Sequence, residues 1–295
     1  MSAVIWLKQR DACHLLVDAT GYLEDGEIVW IGDKCEMLPD LHCAVSCLGA
    51  AGLGDVVIEA LCETFSSFDE IVEGGPTVPG PVSELRGKPD IPLESLMREI
   101  FETYCSNVTG PGRRVCEAWL IGWSHQRNRA EGYSIWLENF DEWEKRDGGN
   151  PGSCPPFRLV SNSWPMNLAC SPTPTKQQFD EAHFAPWDTE SLIPEIDLLQ
   201  FMELQRRKPF GDSYPPRYVV GGYALLTTVD RRGVTQRRIH TWPEDTVGGM
   251  ITPLPIDWAR WRAEREAPLQ NTIIKMPPPL NRSQRRRLNA TGGRK

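Results

Sequence analysis

Residues 2–55 read SAVIWLKQRDACHLLVDATGYLEDGEIVWIGDKCEMLPDLHCAVSCLGAAGLGD, and this stretch decides the fold. Apolar runs at residues 3–7 and 14–18 are separated by a polar turn at 8–11, the pattern of adjacent antiparallel strands. Asp25-Gly26 marks a further hairpin turn. Residues 28–31 and 35–38 flank a turn at Gly32-Asp33, and the apolar run 41–48 suits a buried strand. Gly49-Ala50-Ala51-Gly52 breaks that run. Val56, Ala60, Leu61 and Phe65 then recur at helical spacing, which predicts a helix over residues 53–68.

Ser2, Asp18 and Lys34 stand sixteen residues apart within this stretch. Ser2 becomes the first residue when the initiator Met is removed, which a small second residue permits. Asp18 ends an apolar run, and Lys34 opens a strand after a turn. A hydroxyl, a carboxylate and an ammonium in one register are the residue types that acyl-transfer chemistry uses.

Beyond residue 55 the chain alternates helices and strands less regularly. Residues 72–92 are rich in Pro and Gly and read as a surface excursion. A second helix is expected over 93–108, where Glu94 gives an acidic first turn with no catalytic role. Strands are expected at 116–123, 132–137, 157–161, 218–229 and 234–242, and a helix at 189–207. Residues 171–186 read as irregular. A short helix at 256–266 carries Trp258 and Trp261, and a basic tail at 277–295 reads as disordered or as a docking arm. Strands, two helices, strands, helix, strands is an α+β order of two antiparallel sheets between helical layers, not a βαβ alternation. The domain expected is 1–245, with insertions near 72–92 and 141–190, followed by an extension at 246–295.

Composition excludes several classes. The chain has 295 residues and a net charge of -8, so general attraction to nucleic acid is not expected apart from the basic tail. No apolar run is long enough to span a membrane, and the start of the chain has no secretory pattern. Nine cysteines without a CxxC pair read as reduced core residues of a cytoplasmic protein or of a particle assembled there. No histidine pattern suggests a metal, and no cofactor is expected. Gly49, Gly52 and Gly54 precede a helix, but not in the order or strand context of a phosphate-binding loop.

The register resembles the proteasome β-subunit branch of the N-terminal nucleophile hydrolases. The resemblance rests on Ser2, Asp18 and Lys34, on Leu15-Leu16-Val17-Asp18, on Asp33-Lys34 and on the small residues between Leu48 and Asp55. It continues more loosely through 118–123, 131–135, Gly221-Gly222 and Gly233-Val234, and covers about residues 2–242. It implies a four-layer αββα sandwich. It also implies a serine-type peptidase or amidohydrolase, in which Ser2 attacks an acyl carbon and its own α-amine takes the proton. Asp18 would hold Lys34, and the Gly49 backbone would donate to the oxyanion. A homo-oligomer or larger assembly is implied as well. The alternative is the same fold kept without catalysis as a structural subunit. The chain departs from the family at Arg217 and Val220, where the pattern has an acid and a serine that support the amine. Ser161 or Ser163 is the expected counterpart of the remaining supporting serine.

Overall fold

The computed structural model describes residues 3–23, 25–49, 52–73, 90–105, 116–147, 154–161, 168–184, 188–211 and 216–274. They divide into two units, Met1–Leu254 and Pro255–Lys295. In the first, alternating and β-branched runs form β1 (Val4–Lys8), β2 (Ala12–Asp18), β3 (Thr20–Tyr22), β4 (Ile28–Ile31), β5 (Cys35–Leu38) and β6 (Cys43–Leu48). Helices α1 (Leu53–Thr64), α2 (Phe68–Ile71) and α3 (Pro92–Ile100) follow, then β7 (Cys116–Ser124) and β8 (Arg129–Leu137). The rest comprises α4 (Phe140–Asp147), β9 (Val160–Ser161), β10 (Leu168–Ser171), α5 (Lys176–Glu181), α6 (Pro194–Arg206), β11 (Tyr223–Asp230) and β12 (Gly233–Thr241). The second unit holds α7 (Trp258–Ile274), where Trp258 and Trp261 meet edge to face at 6.0 Å.

Among the described residues these strands form two five-stranded antiparallel sheets, in the orders β10-β1-β2-β11-β12 and β5-β6-β7-β8-β9, and a two-stranded pair β3-β4. One apolar cluster joins them: Val4, Trp6, Leu15 and Val17 of the first meet Ala44, Trp119, Ile121 and Ala130 of the second. A second cluster seats α1, α2 and α3 on β6, β7 and β8 through Val57, Leu61, Phe68, Met97, Leu120 and Ile135. Helix α6 packs on β1, β2, β11 and β12. The fold is α+β with antiparallel sheets. Cys43 and Cys47, four apart on β6, face the same cluster, and both are unbridged thiols. Among the described residues, no helix is long and apolar enough to cross a membrane.

Several expectations need correction. The helix expected over 53–68 ends at Thr64, because Phe65 turns extended and Ser67 caps a new helix by accepting from Glu70 N at 3.2 Å. Residues 171–186, read as irregular, contain α5; Thr175 and Gln178 form a capping box in which each side chain bonds the other's backbone N–H. Strand β10 and helix α4 were not expected. Glu94 serves α3 by accepting from Ile91 N, and its carboxylate also takes Arg158 and Leu159 N. The basic tail after residue 274 and most of the 72–92 excursion lie outside the described residues.

A Cβ on Gly132 of β8 would stand 1.6 Å from Nε1 of the fully buried Trp6. Gly132→Ala is therefore expected to destabilise by about 1–3 kcal/mol in urea unfolding, since the indole has no room to retreat. His14 of β2 bonds Thr228 and Gln9, and burial, with the Arg237 charge adding to it, lowers its pKa to about 4. Between about 6.5 and 4 the unfolded chain binds the extra proton, so stability is lost as pH falls through that window. The loss is on the order of 3 kcal/mol. His14→Gln is expected to flatten the acid limb of the stability curve.

Candidate active site

Asp18 is the last residue of β2, and its neighbours in the sheet leave its carboxylate fully buried. Among the described residues, five donors reach it. Oδ1 accepts from Ala3 N at 2.8 Å and from Lys34 Nζ at 2.9 Å. Oδ2 accepts from the Thr20 hydroxyl at 2.9 Å, Thr20 N at 3.2 Å and Gly221 N at 3.3 Å. Lys34, just before β5, has a side chain only 6% exposed. Burial lowers its ammonium below the usual range, and the Asp18 charge opposes that shift. A lysine held this way is a charged donor that gives up its proton more readily than one in water.

Asp18 and Lys34 are therefore brought together as the sequence suggested. Ser2 lies outside the described residues; the amide that joins it to Ala3 is the one Asp18 holds. Gly49 follows β6 with φ of 115°, a conformation that favours glycine. It lines two clefts. One, about 540 Å³, contains Lys34, Trp30, Tyr22, Asp33, Glu36 and Asp55. The other, about 600 Å³, contains Glu117, Ser171, Pro172, Gln205, Val220 and Phe210.

Other residues build the site without having been read from the sequence. Arg206, at the end of α6 and 1% exposed, makes a two-point ion pair with Asp245 at 2.7 and 2.8 Å and bonds Val220 O. Asp245 also accepts from Gly222 N at 2.7 Å. This second buried pair holds the Gly221-Gly222 backbone where Gly221 N can reach Asp18. A Cβ on Gly221 would stand 2.3 Å from the Asp245 carboxylate, so the glycine is required for the approach.

Arg217 and Val220 stand where the family pattern has the acid and serine of its amine support. The Arg217 guanidinium lies over the Phe210 ring at 5.9 Å, and Arg217 lines neither cleft. Val220 does line the second cleft. Ser161 sits on β9, at the edge of the other sheet opposite Tyr133, and Ser163 lies outside the described residues. Ser171 is the serine beside the chain's start, paired with Val4. The signal for it was the apolar run before Ser171-Pro172, which is too short to stand out by periodicity.

Removing Asp18 should show how much the pair carries. Asp18→Ala strands a buried ammonium and is expected to lose about 3–5 kcal/mol in denaturant unfolding. Asp18→Asn keeps an acceptor for Ala3 and loses less. In a double-mutant cycle, Asp18→Asn combined with Lys34→Met should cost less than the sum of the single changes; strict additivity would show that the two groups do not act as a pair.

No protein-family model matches this chain, and no curated protein does. Solved structures do. An Anbu (Gly-1) mutant from Hyphomicrobium sp. strain MC1 is similar at a TM-score of 0.50 and 10% identity, over 94% of this chain and 98% of that one. Anbu, an ancestral β-subunit, from Yersinia bercovieri is similar at 0.48 and 10% identity, over 95% and 99%. The resemblance to the N-terminal nucleophile hydrolase superfamily is corrected by these findings. The structure that matches at 0.50 is an Anbu protein, and at 10% identity a shared backbone leaves the side chains that do chemistry free to differ. What the comparison supports is a proteasome-like fold.

Proposed function

We propose that the chain is a proteasome-like subunit that hydrolyses a peptide or amide bond through Ser2, once cleavage of the preceding bond frees its α-amine. One observation carries this reading: a single carboxylate oxygen of Asp18 holds both the Ala3 amide and the Lys34 ammonium, at 2.8 and 2.9 Å. The start of the chain and the cation are thus tied to one point beside Gly49.

The chemistry balances. The α-amine, with an ordinary pKa of ~8, takes the proton from the Ser2 hydroxyl as Oγ bonds to the acyl carbon. Lys34 favours the deprotonated forms through its charge. The Gly49 backbone N–H would donate to the oxyanion, where one such donor is worth about 3–4 kcal/mol. As the C–N bond breaks, the ammonium returns its proton to the leaving amine, and water then hydrolyses the Ser2 ester. The same reading takes the contacts of α1–α3 on one sheet and α6 on the other as a four-layer order, and places the chain in an assembly of its own copies or other subunits.

A second reading keeps the fold without the reaction, as a structural component of a larger complex. It is favoured by the Asp18 network itself, whose donors all belong to the fold and which would persist without turnover. It predicts a defined assembly on sizing chromatography and no activity.

Intact mass and a panel of fluorogenic peptide amides separate the two. A chain beginning at Ser2 is expected to turn over at least one of them, with Ser2→Ala lower by roughly a thousandfold or more. Turnover unchanged by that substitution, or turnover by a chain that retains Met1, would sink the hydrolytic reading.

A further inference from the structure

The second cleft beside Gly49 holds acceptor groups that the proposed reaction leaves unused. Glu117 lies on β7 opposite Leu48 and is 5% exposed. Its carboxylate accepts from Trp119 Nε1 at 2.9 Å and from the Ser171 hydroxyl at 3.3 Å. Among the described residues, no ion pair neutralises it, and burial pushes its carboxyl above the usual range. Each oxygen of a carboxylate can accept a further hydrogen bond. Gln205 on α6 is fully buried, and its Nε2 donates to Pro172 O at 2.8 Å and reaches Val4 O at 3.5 Å. Those carbonyls fix which way the amide faces. Its Oε1 is left buried with no hydrogen-bond partner among the described residues. An orphan acceptor of this kind is costly, so a donor that satisfies it is held firmly.

Both groups stand where β1 begins, since Val4 pairs with Ser171 and its carbonyl meets Gln205. Lys208 lines the same cleft, but its Nζ donates outward to Thr173 O at 2.6 Å. One buried carboxylate that no described cation pairs and one orphan carbonyl, lining one cleft, are complementary to a primary amine. We infer that Glu117 and Gln205 are the positioning groups for the α-amine of Ser2, in place of the acid and serine that the chain lacks at Arg217 and Val220. The inference rests on the reading of Ser2 as nucleophile. In that reaction Glu117 stabilises the ammonium formed when the amine takes the Ser2 proton, and Gln205 orients its lone pair toward the hydroxyl.

The amine itself supplies the test. Its reactivity toward acetic anhydride is followed across pH in the full-length protein, by the mass of the N-terminal peptide, in wild type and Glu117→Gln. Loss of the carboxylate should lower the amine's midpoint by about one pH unit, because the ammonium loses its nearby negative charge. The acid limb of kcat/KM should move the same way, with KM little changed. Glu117→Asp keeps the charge and should keep the midpoint near wild type. Should Glu117→Gln fail to fold, Gln205→Met is expected to lower the midpoint by less. An unchanged midpoint in a folded variant overturns the inference while leaving hydrolysis intact. A shifted midpoint in a protein without turnover upholds the amine site and removes the hydrolytic reading alone. An N-terminal peptide that begins with Met1 overturns both.

Discussion

The buried carboxylate of Asp18 is the constraint on which the site end of the molecule depends. A charge taken out of water must be met by donors, and among the described residues five come from four separate parts of the chain: Ala3, Thr20, Lys34 and Gly221. Satisfying that charge fixes the start of β1, the turn after β2, the lysine before β5 and the approach to β11 relative to one another. The arrangement follows from solvation and geometry before any chemistry is considered.

A second buried pair makes the first possible. Arg206 and Asp245 clamp the Gly221-Gly222 backbone, and Gly221 presents its N–H to Asp18 only because no side chain intervenes. Between them, the two pairs leave Gly49 at the junction of two clefts of different character. One is lined by the lysine, acidic groups and aromatic rings; the other by a buried glutamate, a glutamine and apolar walls. An extended substrate crossing Gly49 would meet both.

The early strands were legible because their signals are local. Residues 28–31 and 35–38 were read with the bounds they have, and the Asp18–Lys34 pair was visible as a spacing. The later site residues were not, for physical reasons. Glu117 lies within a strand buried on both faces, where a carboxylate looks like a flaw in the pattern. Arg206 and Asp245 are 39 residues apart, and only the fold makes them partners. Helix α5 did have a readable start in Thr175-x-x-Gln178, which the surrounding prolines obscured. Counting from the glycines aligns Arg217 with the family's acid, but its place over the Phe210 ring is a contact that only the fold makes.

Whether the serine joined to the Asp18-held amide is the proposed nucleophile is decided by treating the protein with an electrophilic β-lactone and mapping the acylated residue by peptide mass spectrometry. A single adduct on Ser2, suppressed by Lys34→Met, is expected. An adduct confined to other residues, or none under conditions that acylate a control serine hydrolase, would contradict it.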